Sequence, residues 1–127
     1  MDIKYGGEEA LASMAALDRG YVGVYMKSIY TNHMPANKWT GKNLERITAQ
    51  GISNVYMMKS MLYPKVCAPL LYAAYKMRLK KHGVTDKALI TEFDGIRRDF
   101  QKTTPAIKRI KLSTVMMAYK QFGATVF

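Results

Sequence analysis

The chain has 127 residues, 49% of them apolar and 23% charged, and its 20 Lys and Arg against nine Asp and Glu give a formal net charge of +11. This is the size and composition of one folded domain, and it excludes wholesale disorder. No uncharged apolar run approaches the roughly 18 residues of a membrane-spanning helix, and the single cysteine, Cys67, excludes an internal disulfide and a multi-cysteine metal site.

The opening Met1-Asp2-Ile3-Lys4 lacks the basic region and apolar run of a secretory signal, so none is expected. Gly6-Gly7 precedes a first helix expected over about 8–31. Glu8 and Glu9 sit in its first turn, where the helix dipole favours acids. Leu11, Met14, Asp18, Tyr21, Tyr25 and Ile29 follow helical spacing. Ala12, Ala16, Gly20 and Gly23 form a ridge of small residues, which suits close approach of a second backbone or ordinary helix packing. The glycines predict a bend near Gly20 and leave a strand reading open for 21–25.

Residues 32–38, with Pro35, connect to a second helix capped by Thr40 and running to about Leu62. Its expected apolar stripe is Leu44, Ile47, Gly51, Val55, Met58 and Leu62, with Lys42, Arg46, Gln50 and Ser53 on a polar face. Two helices of this length extend roughly 35 Å each. Pro64 and Pro69 break the pattern and start a third helix with Leu70, Ala73, Ala74 and Met77 inward. Lys80, Lys81 and His82 crowd its last turn and Gly83 ends it. Thr85 is expected to cap a fourth helix with the stripe Leu89, Phe93, Ile96 and Phe100. Thr104-Pro105 has the form of a cap and first helical position for a fifth. That helix carries two stripes, Ile107-Ile110-Thr114-Met117 and Leu112-Val115-Tyr119-Phe122, as a central helix or one shared between subunits does. The expected fold is all-α, a long N-terminal helix-turn-helix arm (1–62) followed by a small C-terminal helical bundle (63–127).

Charge is unevenly placed along these elements. Residues 1–18 hold four acids and one base; residues 19–81 hold eleven bases and one acid, Glu45; residues 82–99 hold four acids and three bases; residues 100–127 hold five bases and no acid. A long stretch of one sign repels itself unless a polyanion lies beside it. Nucleic acid is the favoured partner, ahead of an acidic membrane surface or an acidic protein.

No enzyme signature is present. His33 lies in a connector and His82 at a basic helix end. Cys67, near Lys65, reads as a buried structural cysteine more readily than as a nucleophile. Glu92 and Asp94 are two apart, so they do not share a helix face. Phosphate-loop, HExxH and GxSxG patterns are missing. Neither a catalytic group nor a cofactor nor a metal is expected.

The basic residues, by contrast, group. Arg19 and Lys27 flank Gly23 on the first helix. Lys38, Trp39, Lys42 and Arg46 gather at the start of the second, where free amides add to a phosphate site. Trp39 either plugs the core or stacks on a base, the plug being the commoner role. Lys108, Arg109 and Lys111 form a further cluster after Pro105. Ten Met and nine Tyr suit core filling and helix contacts between subunits alike.

The basic arm from Arg19 through Trp39 to Lys59, the break at Pro64 and the bundle from Leu70 to Phe122 together resemble the helical major capsid proteins of archaeal filamentous viruses, the rudivirus, lipothrixvirus and tristromavirus group. The resemblance is one of layout over most of the chain and carries no diagnostic motif. It implies a virion subunit made in the host cytoplasm, packaging linear double-stranded DNA, in A-form, without sequence specificity. It implies an identical or paralogous partner subunit in a dimer and helical filament, and allows for a surrounding lipid envelope. By their place in the arm, Arg19, Lys27, Lys38, Lys42, Arg46 and Lys59 are the expected DNA contacts. The acidic first turn departs from the pattern, and its expected partners are a neighbouring subunit's bases. The alternatives are a small helical DNA-binding regulator or nucleoid protein, and an adaptor for an acidic protein.

Overall fold

The computed structural model describes residues 8–21, 42–103 and 106–127. Every regular element among them is helical: α1 (Glu8–Asp18), α2 (Lys42–Leu62), α3 (Ala68–Lys81), α4 (Lys87–Thr103) and α5 (Leu112–Phe122), with short 3₁₀ turns at Lys65–Cys67 and Gly123–Val126. The all-α expectation is met. No helix among the described residues is long and apolar enough to cross a membrane.

Glycine conformations set two of the helix ends. Gly20 (φ +87°) follows α1, its amide donating to the Leu17 carbonyl while the Tyr21 amide donates back to Ala16. Gly83 (φ +70°) ends α3 the same way, with Gly83 to Lys80 and Val84 to Leu79. This paired closure satisfies carbonyls that the last turn leaves open, and it needs a left-handed residue that glycine adopts without strain. The first helix therefore stops at Asp18 and does not bend and continue through Tyr21; the remainder of the expected helix, with the connector and Thr40, lies outside the described residues.

The bundle is built around α2. One core cluster joins Met14 of α1 and Leu62 of α2 to Tyr63, Cys67, Leu71, Ile110, Val115, Ala118 and Val126. The other joins Ala49 of α2 to Tyr75, Leu79, Val84 and Phe93. Tyr56 packs against both, its ring stacked on Tyr75 at 4.5 Å between centroids. Because α1, α3 and α4 all contact α2, its burial spreads beyond one stripe. Ala49, Ser53 and Met57 are buried, whereas Leu44 at the head of the expected stripe is exposed. Ser53, expected on a polar face, shares a hydrogen bond with the Tyr75 hydroxyl. Packing is continuous across residues 62 and 63, where the Ile110 amide also donates to the Leu62 carbonyl. The α2 half of the expected arm thus shares both cores of the bundle.

Three expectations for α3–α5 change. The inward row of α3 is Leu71, Tyr75 and Leu79; Leu70 and Met77 point outward. On a helical projection Lys76, Lys80 and Lys81 lie roughly 100–140° from the middle of that inward row, and all three are exposed, so the ammonium groups stay in water. The cap of α4 is Asp86, whose Oδ1 accepts from the Ala88 amide at 2.8 Å and from Leu89 at 3.4 Å; the Thr85 amide donates to Glu45 Oε1 instead. The α4 stripe follows the expectation, with Phe93 buried and Leu89, Ile96 and Phe100 half-buried. The last helix starts at Leu112, not at Thr104-Pro105. Residues 106–111 are non-helical, and residues 104–105 lie outside the described set.

Candidate nucleic-acid interface

A phosphate-binding surface needs cations that reach solvent and are not already committed to protein acceptors. Of the six expected contacts, the three whose side chains are described, Arg19, Arg46 and Lys59, do not converge on one. Lys27 and Lys38, with Trp39, lie outside the described residues, and Lys42 opens α2. Arg46 is exposed but engaged: its two terminal nitrogens donate to the two Glu92 carboxylate oxygens at 3.0 and 2.5 Å. Those hydrogen bonds hold the Glu92 carboxyl below the usual carboxylate range and raise the guanidinium. The Arg46 guanidinium also lies 5.8 Å from the Phe93 ring centre.

Lys59 turns inward. It is 9% exposed, and its Nζ donates to the main-chain oxygens of Val126 (2.9 Å), Phe127 (3.1 Å) and Thr125 (3.5 Å). Burial, and then the neighbouring Arg78 charge, pull its pKa down to about 8. Arg78 donates to the same tail at Thr125 (3.2 Å) and Phe127. Both bases therefore fasten the 3₁₀ turn at Gly123–Val126 onto the bundle, and Lys59 belongs to the core and not to a nucleic-acid surface.

Arg19 is exposed in the turn after α1, and the structure brings it to a shallow cleft of about 400 Å³ shared with Lys111, Ser113 and Thr114. Asp18 sits in the same cleft. Its Oδ1 accepts from the Lys111 amide at 2.8 Å and the Thr114 hydroxyl at 2.7 Å, tying α1 to the start of α5. These hydrogen bonds hold the Asp18 carboxyl below its ordinary value, helped by the Lys111 and Lys108 charges. Lys108 and Lys111 therefore act on one carboxylate, and Arg19 lines the same cleft. Arg109 of the same sequence cluster is structural, since its guanidinium donates to the Ser60 carbonyl at 2.8 Å and to that of Tyr63, closing the end of α2.

The surface that the sequence reading missed is the outward side of α3. Tyr72, Lys76 and Lys80 are spaced one turn apart and all exposed, with Met77 and Lys81 beside them. There is no acid on α3. Among the described residues Lys76, Lys80 and Lys81 make no ion pair. The Tyr72 ring leans on Tyr56 (6.2 Å) and Tyr75 (6.3 Å), so half of a fixed aromatic face lies next to the lysine row. The signal was present in the acid-free run from Arg46 to Lys81, but the wrong helix face was turned inward.

Cys67 is free and buried, and burial pushes its thiol pKa up, away from a reactive thiolate. Among the described residues no group of three or more His, Cys, Asp or Glu is placed to hold a metal. No family model, curated protein or solved structure matches the chain.

Proposed function

We propose that this chain is a structural protein that packages nucleic acid through sequence-independent phosphate contacts. The observation that carries the reading is the outer side of α3: three exposed lysines on an acid-free helix, beside a half-exposed tyrosine, in a chain of net charge +11. Lysine on phosphate releases counterions and binds any sequence. Tyr72 adds a ring on which an unpaired base or a sugar packs. Arg19, Lys108 and Lys111 form a second, weaker patch, because the Asp18 carboxylate lies among them. The layout's resemblance to the capsid proteins of archaeal filamentous viruses extends the proposal to a virion subunit, made in the host cytoplasm, that coats linear double-stranded DNA.

The test is a titration of a short duplex of arbitrary sequence with wild type and a Lys76→Ala/Lys80→Ala variant, over a range of salt. Each phosphate contact contributes about 0.9 to the log–log salt slope, so the variant should bind more weakly with a slope smaller by about two. An unchanged slope removes the α3 assignment. A strong preference for one duplex sequence favours a regulator instead, and no binding at low salt overturns the packaging reading.

A further inference from the structure

The outward side of α3 carries a second row that phosphate contacts leave unused. Leu70 and Met77 are 54% and 68% exposed, and Val66, four residues before Leu70 in the preceding 3₁₀ turn, is 68% exposed. At 100° per residue Leu70 and Met77 lie about 20° apart, so they form one apolar shelf along the helix. That shelf stands about 90° round the axis from the row of Lys76 and Lys80, or roughly 8 Å away at the outer radius of a helix. Tyr72 heads the lysine row, one turn before Lys76, and is 48% exposed. Its ring leans on Tyr56 and Tyr75, at 6.2 and 6.3 Å between centroids, so its open part is held in place before anything binds.

We propose, resting on the nucleic-acid reading above, that this side of α3 takes a single-stranded segment and holds it more tightly than a duplex. Lys76 and Lys80 are about 6 Å apart along the axis, close to the spacing of phosphates on an extended strand. With its phosphates there, a strand passing over the head of the row lays one base on the Tyr72 ring. Bases turned to the other side reach the shelf of Leu70 and Met77. A duplex cannot make these contacts, because its bases are stacked inside it. It meets the lysines through its phosphates and leaves the shelf against water or charged backbone. The surface therefore binds both forms by charge, with no acid on α3 to repel them, and only the single strand by base contact as well. Every base has an apolar face, so these contacts keep the sequence independence that packaging needs.

The experiment titrates the full chain with three polymers of equal length, from low salt to about 0.15 M: oligothymidylate, which does not pair with itself, the same strand with its bases removed, and a duplex. At the higher salt wild type should bind oligothymidylate more tightly than either of the others. Its advantage over the baseless strand should persist as salt rises, because base contacts release no counterions. Tyr72→Ala should weaken single-strand binding roughly 5- to 100-fold, the effect of losing one stacked base, and leave duplex binding as it is. Tyr72→Phe keeps the ring and should bind as wild type. Met77→Ser, on the open shelf, should lower single-strand affinity in the same direction by less. Circular dichroism checks that each variant is folded, and the comparison of strands with and without bases needs no variant at all. Equal affinity of wild type for those two strands, tighter binding of the duplex at the higher salt, or a folded Tyr72→Ala variant with its single-strand preference intact would each overturn the proposal and leave packaging through phosphate contacts standing. A wild type that binds none of the three at low salt would overturn packaging, and the single-strand site with it.

Discussion

Lys59 makes the bundle's stability rise with pH. The ammonium is buried on three main-chain oxygens of the tail with Arg78 close by, and its pKa falls from 10.5 to about 8. Between those values the unfolded chain holds a proton that the folded chain has released, so stability increases as pH rises through the window. The shift corresponds to roughly 3 kcal/mol over the whole window, of which about 2 kcal/mol accrues between pH 7 and 10. Other groups subtract from this at the upper end. Burial pushes Tyr63 up to about 12 and raises Cys67, so above their ordinary values the unfolded chain ionises first and stability falls. Their contribution cancels in a comparison with Lys59→Met. The assay is urea unfolding followed by circular dichroism at pH 7, 8, 9 and 10, extrapolated to zero denaturant. Wild type should gain about 2 kcal/mol on Lys59→Met between the first pH and the last. A difference that is flat, or that falls with pH, would refute the assignment of a buried, charged Lys59.

Asp18 gives the acid side its own signature. Hydrogen bonds from the Lys111 amide and Thr114 lower its pKa, so its contribution is present above 3.8 and is lost as pH falls through the lower folded value. Thermal melts of Asp18→Asn should therefore show a shallower loss of Tm between pH 5 and 2 than wild type. Two glycine substitutions should have opposite signs. Gly51 lies inside α2 with nothing within 4 Å of an added Cβ, so Gly51→Ala should stabilise by about 0.5–1 kcal/mol. Gly83 holds φ +70°, so Gly83→Ala should destabilise by about 1 kcal/mol despite equally open space. Urea unfolding distinguishes both from zero.

What the sequence revealed and what it concealed follow from the range of the interactions involved. Helix ends written in local chemistry were legible: Gly83 closing α3, Pro69 in its first turn, and the Leu89-Phe93-Ile96-Phe100 stripe of α4. The α3 face was misjudged because Leu70-Ala73-Ala74-Met77 and Leu71-Tyr75-Leu79 are both apolar at helical spacing, and only the positions of Lys76, Lys80 and Lys81 choose between them. Thr104-Pro105 resembles a helix start, but the Ile110 amide pairs with Leu62, 48 residues earlier, and residues 106–111 are non-helical. The candidate site shifted for the same reason. Arg46 meets Glu92 across 46 residues, and Lys59 meets Val126 across 67. No local pattern marks those partners, and without them both bases read as free surface charge.

The packaging claim is tested most directly by electron microscopy of the purified chain at low salt, with and without long linear double-stranded DNA. The account predicts regular filaments of constant diameter that require the DNA and dissolve as salt rises. Bare DNA at low salt, or isolated beads on otherwise unaltered duplex, would contradict it.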